Sequence, residues 1–265
     1  MTKSKSANLR QVRQRVLRSF LVLAVSAMVF GLAWTWANTA TGEDPTPPLL
    51  RQALEFNGQL WHRLFSANRE GPAVRRPPAG KPPRFNGPLG LEEALDVQAW
   101  RLEIDSPGRD SHAAPLSLTL ADLKWLPRSK STAQFKCIEG WSEDIAYSGI
   151  RFADFIKAYG IGTKSGRPPD PEYHPEDLYQ FVGLETPDGE YYVSIDMQSM
   201  LHPQTILTDQ MNDRPLSVPN GAPLRLIIPV KYGIKNLKRI GRIVFSDQRP
   251  PDYWAEQGYD WFAGL

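Results

Sequence analysis

The sequence is short of the residues from which a protein builds a metal centre by itself. Its 265 residues include one cysteine, Cys137, and four histidines. One cysteine excludes an intramolecular disulfide framework, a cysteine-rich zinc site and a protein-held iron–sulfur cluster. The histidines lack the close spacing of zinc ligands, so we expect no metal site made by the chain alone. They are His62, His112, His174 and His202.

An excess of charge of one sign is also missing. The chain has 31 basic and 29 acidic residues, a formal charge of +2. This balance argues against a dedicated nucleic-acid binder. With 41% hydrophobic and 23% charged residues, the bulk of the chain is neither disordered nor fibrous. After the first forty or so residues, its length suits one large domain, with two small domains as the alternative.

The N-terminal region predicts a membrane anchor. No charged residue occurs in 19–42, whereas six lysines and arginines precede this run and Glu43 and Asp44 follow it. About 20 apolar residues cross a hydrocarbon layer, and the side richer in lysine and arginine stays in the cytoplasm. We therefore expect a cytoplasmic basic tail at 1–18 and a transmembrane helix at 19–40. A cleaved signal peptide is the alternative, although its apolar region is usually shorter.

Residues 41–88 predict a proline-rich linker or arm. Six prolines lie in 71–88, and proline removes backbone donors and favours extended chain. Within this region 49–65 has helical spacing of apolar residues. A domain follows at 89–265.

The pattern after residue 88 predicts a mixed fold. Strands are expected at 99–104, 133–138, 224–229 and 240–245, helices at 118–125 and 152–159, and a hairpin of 179–184 with 191–195. The helices interrupt the strands without a βαβ rhythm, so the fold class is α+β and strand-rich.

Cys137 is the first candidate for chemistry. It ends a predicted strand, a turn with Gly140 follows it, and Lys136 beside it favours the thiolate. A thiolate is a nucleophile or a soft metal ligand. A small buried hydrophobe is the structural alternative. A cysteine nucleophile with a distant histidine also stays open at this point.

Two stretches of sequence resemble a known family. Residues 137–142 read Cys-Ile-Glu-Gly-Trp-Ser and are followed by Tyr147-Ser148-Gly149; the second stretch combines His202-Pro203 with 220–225 and 229–238. Together they resemble the molybdopterin-binding oxidoreductases of the sulfite oxidase superfamily, and among these the periplasmic protein-methionine-sulfoxide reductases most. The likeness runs from about 85 to 259. It implies a sulfite-oxidase-type fold and a Mo-molybdopterin cofactor, which needs only one protein thiolate.

The resemblance also implies the site residues. Cys137 would be the catalytic residue and the molybdenum ligand. The molybdopterin contacts would be Asn86, Thr186, Asn220, Arg225, Asn236, Leu237 and Lys238, with Leu89 and Gly90 near the first. Arg225 and Lys238 suit a phosphate, backbone amides near 236 add donors, and the Asn220 amide suits a heterocyclic edge.

Each of these residues has a structural alternative. The alternatives are that Thr186 opens a hairpin turn, that Asn220 is part of a tight turn, and that 231–239 is a solvated basic loop. Glu139 is either a proton donor or a structural partner, and Tyr232 and His202 are weaker candidates for lining the site. The glycine-rich run 160–166 has neither phosphate-loop nor dinucleotide spacing, and we expect a loop.

The implied activity is oxygen-atom transfer by a membrane-anchored enzyme on the periplasmic side. Glu139 and Trp141 stand where sulfite-oxidising relatives carry arginine, which favours a neutral sulfoxide, as in protein methionine sulfoxide, over sulfite. Oxidation of sulfite or another small molecule is the alternative. Electrons would come from a membrane redox subunit, with b-type haem in the resembled system; no nucleic acid is involved.

Two departures from the family keep a rival open. The N-terminus lacks the adjacent arginines of a twin-arginine export signal, and Tyr147-Ser148 replaces the tryptophan before the glycine. The rival is a cofactor-free, membrane-tethered interaction domain.

Overall fold

The computed structural model describes residues 2–39, 47–64, 83–108 and 116–264. They divide into two compact units, Met1–Glu55 and Phe56–Leu265. The proline-rich stretch predicted for the linker lies mostly outside the described residues, as does His112.

The first unit is dominated by one long helix, α1 (Thr2–Asn38). Its segment Arg13–Ala37 is long and apolar enough to cross a membrane. Large apolar side chains are exposed around this segment; Phe30, for example, is 69% exposed. A helix that is apolar on all sides suits an apolar environment. A second helix, α2 (Pro48–Leu64), confirms the helical spacing read in the sequence.

The second unit contains ten strands in two five-stranded sheets. The strands are β1 (Leu102–Asp105), β2 (Leu116–Leu118), β3 (Ser129–Lys136), β4 (Ser142–Arg151), β5 (Phe181–Glu185), β6 (Tyr192–Asp196), β7 (Ile206–Met211), β8 (Arg214–Pro215), β9 (Arg225–Ile227) and β10 (Arg242–Ser246). The short helices are α3 (Leu120–Leu123), α4 (Phe152–Tyr159), α5 (Met197–Met200) and α6 (Tyr253–Glu256).

The first sheet has the strand order β2-β1-β10-β5-β6. All its neighbours are antiparallel except β1 and β10, which run parallel. The hairpin β5–β6 was predicted, and its register pairs Val182 with Ile195 and Leu184 with Val193. All four side chains are buried, so this hairpin anchors the main core.

The second sheet positions the candidate site. Its order is β3-β4-β7-β8, and β9 also pairs with β7. Strands β4 and β7 were missed in the sequence. In β4 polar Ser142, Glu143 and Asp144 precede the apolar positions, which hides the alternation that marks a strand. The hairpin β3–β4 encloses residues 137–141 as its turn.

Helix α4 confirms its predicted bounds. Phe152, Phe155 and Ile156 lie on one face and are buried in the main core. Gly160 ends the helix in the left-handed region with φ of 61°, where glycine costs little. Helix α3 is shorter than predicted, because Leu118 pairs with Leu102 as a strand and Thr119 starts the helix with a capping box.

The α+β, strand-rich fold class is thus confirmed. The strand predicted at 99–104 begins only at Leu102, and the one at 224–229 contracts to Arg225–Ile227. Residues 160–166 form a loop, as expected.

Gly149 supplies a test of the second sheet. It lies at an irregularity between β4 and β7, and an added Cβ would lie 2.1 Å from the carbonyl oxygen of Leu207. Gly149→Ala should therefore lower the free energy of unfolding by about 1–3 kcal/mol, as overpacking does. Denaturant titration of the detergent-solubilised full chain measures this, with Thr132→Ala at an exposed position of β3 as the control. An unchanged free energy would contradict the close approach.

Candidate functional site

The turn between β3 and β4 fixes Cys137 at the end of the second sheet. The Cys137 amide donates to the Trp141 carbonyl at 2.9 Å, and the Gly140 amide donates to the Cys137 carbonyl at 3.1 Å. Gly140 has φ of 87°, which favours glycine. The Cys137 residue is 7% exposed. Two backbone hydrogen bonds therefore hold one thiol in a defined, nearly buried place.

Residues 83–88 lie across this turn. The Asn86 amide Nδ2 is 3.7 Å from the Cys137 Sγ atom, and the Arg84 backbone amide donates to Glu143 at 2.8 Å. From the other side, Lys238 Nζ donates to the carbonyls of Asn86 at 2.8 Å and Gly87 at 2.9 Å. The fold thus brings together Asn86, Cys137 and Lys238, which are far apart in the sequence.

Arg225 on β9 carries a buried positive charge. It is 4% exposed, and its guanidinium donates to the carbonyls of Asn220 at 3.0 Å and Asn236 at 3.3 Å. No carboxylate of the described residues forms an ion pair with it. Burial lowers the pKa of Arg225. Because a buried charge is costly without a counter-charge, this position favours an anionic ligand.

Lys238 lies near Arg225. Burial, and then the Arg225 charge, lower the pKa of Lys238 to about 8. The two cations repel each other, and an anion placed between or beside them would relieve that repulsion. The local chemistry is that of an anion site next to a thiol.

Two buried ion pairs stabilise the loop 231–238. Lys231 contacts Asp196 at 3.2 Å and lies 3.0 Å from the centroid of the Phe262 ring. Lys235 pairs with Asp252. Both lysines are at most 3% exposed, so the alternative of a solvated basic loop is wrong for them. No local pattern could indicate these ion pairs, because both aspartates lie far from the loop along the chain.

Asn236 and Leu237 help to shape the same loop. The Asn236 side chain accepts from the Ile228 amide at 2.8 Å and donates to the Tyr232 carbonyl at 3.0 Å. Leu237 is fully buried, and its carbonyl accepts from the Leu226 amide at 2.9 Å. Both residues attach the loop to β9 and its continuation.

Asn220 and Thr186 differ in whether their side-chain oxygen is free to bind a ligand. Asn220 ends a 3₁₀ turn, where its Nδ2 donates to Ser217 at 2.9 Å. The Thr186 hydroxyl accepts from the Tyr191 amide at 3.1 Å and donates to Asp188 at 2.5 Å. The Thr186 hydroxyl is thus engaged in the β5–β6 turn, in accord with the structural alternative. Its methyl group lies against Gly90, where an added Cβ would approach it to 2.6 Å.

Arg84, Glu139 and Trp141 lie beside Cys137 and are called the rim. They combine an aromatic side chain with charges of both signs. Trp141 lies between the Arg84 guanidinium, 4.4 Å from its ring centroid, and the Phe135 ring at 5.7 Å. Glu139 accepts from the Trp141 indole at 2.9 Å. Hydrogen bonds from Trp141 and Asn86, and then the Arg84 charge, lower the pKa of Glu139. The rim is therefore not simply acidic, as the sequence suggested, because Arg84 joins it from a distant segment.

Glu139, Tyr232 and His202 were the weaker candidates. An ionised Glu139 acts as a hydrogen-bond acceptor for Trp141, which favours the structural role considered for it. Tyr232 is partly buried at the start of the 231–238 loop. His202 is buried in the turn after α5, and its Nδ1 accepts from the Gln204 amide at 3.2 Å.

Comparison with known proteins identifies a family along most of the domain. Residues 89–254 match the family described as oxidoreductase molybdopterin binding domain. The chain is 31% identical over 236 residues to a protein of Azospira oryzae named as a protein-methionine-sulfoxide reductase subunit, YedZ1, covering 88% of this chain and 83% of the relative. It is 33% identical over 232 residues to the protein-methionine-sulfoxide reductase catalytic subunit MsrP of Ralstonia nicotianae, covering 85% of this chain.

The chain spans 62% of the length of that second relative. Among solved structures, the sulfane dehydrogenase SoxCD from Paracoccus pantotrophus is similar with a TM-score of 0.48 and 21% identity, covering 59% of this chain and 40% of that one.

Lys238 gives a pH-dependent prediction. Below about pH 8 its ammonium is charged and attracts an anion; above this pH it loses the proton and the attraction. Because a bound anion itself keeps the ammonium protonated, the titration belongs to the cofactor-free chain, which should take up an anionic cofactor less completely roughly one pH unit above 8 than one unit below it. The measurement is the molybdenum retained after gel filtration at each pH.

Lys238→Arg is the control for this prediction, since a guanidinium stays charged over the whole range. Each protein is compared with itself across pH. Equal pH dependence in the wild type and Lys238→Arg would show that Lys238 is not the titrating group.

Proposed function

The chain belongs to the family of oxidoreductase molybdopterin-binding domains, and from this premise we propose that it reduces a sulfoxide, with protein methionine sulfoxide as the substrate. Membership of the family makes the chain an oxidoreductase with Mo-molybdopterin as its cofactor. When bound, the molybdenum centre supplies oxygen-atom transfer; the protein supplies binding, orientation and electrostatics.

The residues of the candidate site suit this cofactor. Among the described residues, no group of three or more His, Cys, Asp and Glu side chains could hold a metal ion, so a metal must bring its other ligands with it. One nearly buried thiol is available, at Cys137. The observation that carries the proposal is that Asn86 contacts both the Cys137 thiol and Lys238, and that the uncompensated Arg225 charge is near enough to lower the pKa of Lys238.

The roles we propose follow from these contacts. Cys137 would be the protein's ligand to molybdenum, and Asn86 would orient it through its amide. Arg225 and Lys238 would bind the phosphate by charge-assisted hydrogen bonds. Asn220 has a buried side-chain oxygen without a hydrogen-bond partner in the described part of the chain, which suits a donor on the pterin edge.

Thr186, Asn236 and Leu237 complete the proposed set. The Thr186 hydroxyl already has hydrogen-bond partners in its own turn. The oxygen and the nitrogen of the Asn236 amide each form a hydrogen bond with the backbone. We therefore propose that these three residues act mainly by fixing the backbone of the turn and of the 231–238 loop around the cofactor.

The relatives and the rim support the sulfoxide substrate. Both curated relatives are named as protein-methionine-sulfoxide reductase subunits. Charge at the rim does not discriminate between a neutral sulfoxide and the sulfite dianion, because the Arg84 guanidinium offsets the ionised Glu139. The half-buried indole of Trp141, which has Arg84 and Phe135 as neighbours, offers an aromatic edge for a sulfur-bearing side chain.

The membrane arrangement is also a proposal. Helix α1 would anchor the enzyme in the cytoplasmic membrane with the molybdopterin domain on the periplasmic side. Reduction needs electrons, and we propose a membrane redox subunit with b-type haem as the donor. The apolar Arg13–Ala37 segment supports the anchor.

Cys137→Ser tests the metal ligand. A hydroxyl is a much weaker donor to a soft metal than a thiolate, so the variant should lose more activity than the roughly 10–100-fold typical of changes behind a metal ligand. The measurement is kcat/KM with a reduced dye as electron donor, alongside molybdenum content, with Ser142→Ala as the control. Normal turnover of Cys137→Ser with molybdenum bound would contradict the role.

A pair of assays tests the substrate and the direction. The full chain should reduce a methionine-sulfoxide peptide with a reduced viologen dye, and should oxidise sulfite with an artificial acceptor far more slowly. Faster sulfite oxidation would favour the alternative enzyme. A purified chain without molybdenum and without either activity would favour the cofactor-free interaction domain.

A further inference from the structure

Tyr191 links the β5–β6 turn to the loop 231–238. It directly precedes strand β6 and is 7% exposed. The Tyr191 amide donates to the Thr186 hydroxyl at 3.1 Å, and the Tyr191 carbonyl accepts from the Thr186 amide at 2.9 Å. Because both backbone groups of Tyr191 are bonded to Thr186, its backbone is fixed relative to the β5–β6 turn.

The side chain of Tyr191 contacts the loop 231–238. Its hydroxyl donates to the Ile234 carbonyl at 2.7 Å, in the 3₁₀ turn Gly233–Lys235 of that loop. The indole nitrogen of Trp254 in α6 donates to the same hydroxyl at 3.2 Å. A carbonyl only accepts and an indole only donates, so the one hydroxyl proton is directed at Ile234. Both hydrogen bonds of the hydroxyl therefore have a defined direction.

The surroundings of the Tyr191 hydroxyl favour this hydrogen bond. Burial raises the pKa of Tyr191, against the smaller effect of the Trp254 hydrogen bond, so the hydroxyl keeps the proton that it donates. Hydrogen bonds in series polarise one another, and the bond from Trp254 strengthens the one to Ile234. Removal of the hydroxyl would deprive the buried Ile234 carbonyl of this donor.

The Tyr191 contact acts on the backbone of the loop just before the residues proposed to face the cofactor. Ile234 lies between Lys231 and Lys235, and the chain continues from it to 236–238. The two ion pairs of the loop are made by lysine side chains, which are long and flexible. A tyrosine has only two side-chain torsions and loses little entropy when it is fixed. Tyr191 therefore restrains the loop more directly than the lysines do.

We infer that Tyr191 is a positioning residue for molybdopterin, because its hydroxyl fixes the spacing between the β5–β6 turn and the loop 231–238. A site whose parts are held at the right spacing before loading loses less freedom on binding and binds more tightly. The inference rests on the cofactor contacts proposed above for the turn and the loop. It does not depend on the sulfoxide substrate.

The alternative is a hydroxyl that only stabilises the core. Tyr191 packs in the main core, and its ring meets the Tyr253 ring edge-on with centroids 5.8 Å apart. Tyr191→Phe keeps the ring and removes the hydroxyl alone. A purely structural hydroxyl would change cofactor loss only as far as the whole chain is destabilised. A positioning hydroxyl would change it at equal stability as well.

Tyr191→Phe, compared at equal stability, separates the two roles. Each loaded full chain is held at the same interval below its own Tm, and the molybdenum and pterin retained are measured over time. Tyr191→Phe should lose the cofactor several-fold faster than the wild type. Tyr159→Phe is the matched control, because the Tyr159 hydroxyl also donates to a backbone carbonyl, that of Asp122 at 2.6 Å, but joins α4 to α3. It should lose the cofactor at the wild-type rate.

A second variant keeps the contact to Ile234 and weakens the surrounding core. Trp254→Phe removes the indole donor but leaves the Tyr191 hydroxyl in place. It should lower Tm, because a smaller ring packs less well against Tyr253 and Tyr259. At the same interval below its own Tm, it should nevertheless retain the cofactor nearly as long as the wild type does.

A double-mutant cycle gives a readout that a purely structural role would not change. Lys238→Met should accelerate cofactor loss in the wild type, because it removes a cation from the anion site. In the Tyr191→Phe background the same substitution should accelerate the loss by a smaller factor, because a loop that is no longer fixed places Lys238 less well. In the Tyr159→Phe background the factor should equal that in the wild type.

Arg225→Gln distinguishes failure of this inference from failure of the proposed cofactor contacts. If Arg225→Gln loses the cofactor and Tyr191→Phe retains it like the wild type, the inference is wrong and the proposed contacts stand. If neither variant loses it, the proposed contacts fail and the inference fails with them.

Three further results would make the Tyr191 hydroxyl structural and overturn the inference. One is equal acceleration of cofactor loss by Trp254→Phe at matched stability. Another is the same factor for Lys238→Met in the wild-type and Tyr191→Phe backgrounds. The third is a Tyr191→Phe chain that does not fold.

Discussion

The arrangement of this protein depends on a positive charge that the chain buries without neutralising it. Arg225 is 4% exposed, donates to two backbone carbonyls and has no carboxylate partner among the described residues. Two other buried cations of the domain are neutralised, in the pairs Lys231–Asp196 and Lys235–Asp252, whereas Arg239, 3% exposed, donates to the Glu93 carbonyl and also has no ion pair among the described residues. The contrast is physical, since an unpaired buried cation is unfavourable unless a ligand completes it. We therefore propose that Arg225 is half of an interaction whose other half is an anionic cofactor.

The rest of the domain brings a thiol to that charge. The β3–β4 turn presents Cys137 at the end of the second sheet, and residues 83–88 connect it to Lys238 through Asn86. Beneath Lys238, the two buried lysine–aspartate pairs attach the 231–238 loop to β6 and to the start of α6. Rigid support of this kind keeps a binding geometry defined in the absence of the ligand. The charges that stabilise the loop are thus distinct from the neighbouring charges, Arg225 and Lys238, that we propose for cofactor binding.

Local sequence patterns predicted the parts of the structure that depend on local physics. Helix α4 follows from the spacing of Phe152, Phe155 and Ile156 and from Gly160 at its end, and the β5–β6 hairpin follows from alternation around a Pro-Asp-Gly turn. The strand predicted at 133–138, with Cys137 at its end, in fact ends at Lys136, so that Cys137 belongs to the turn with Gly140. Strand β4 was missed because its first three residues are polar. A sequence pattern predicts an element well when residues close along the chain determine that element, and it fails when distant residues do.

The remaining features depend on contacts between distant segments. Arg84 stacks on Trp141, and Lys235 meets Asp252, only because the fold brings them together; nothing adjacent in the sequence signals either contact. The resemblance to a family supplied the candidate ligands, and the structure added what each side chain is free to do. It showed, for example, that the Thr186 hydroxyl is engaged in its own turn whereas the Asn220 oxygen lacks a partner.

X-ray absorption at the molybdenum edge tests the central claim most directly, because it counts the sulfur atoms bound to the metal in the purified full chain. The account predicts molybdenum in the wild type and one sulfur fewer around it in Cys137→Ser. The same number of sulfur ligands in both proteins, or a folded wild-type chain without molybdenum from molybdate-supplied cells, would contradict it.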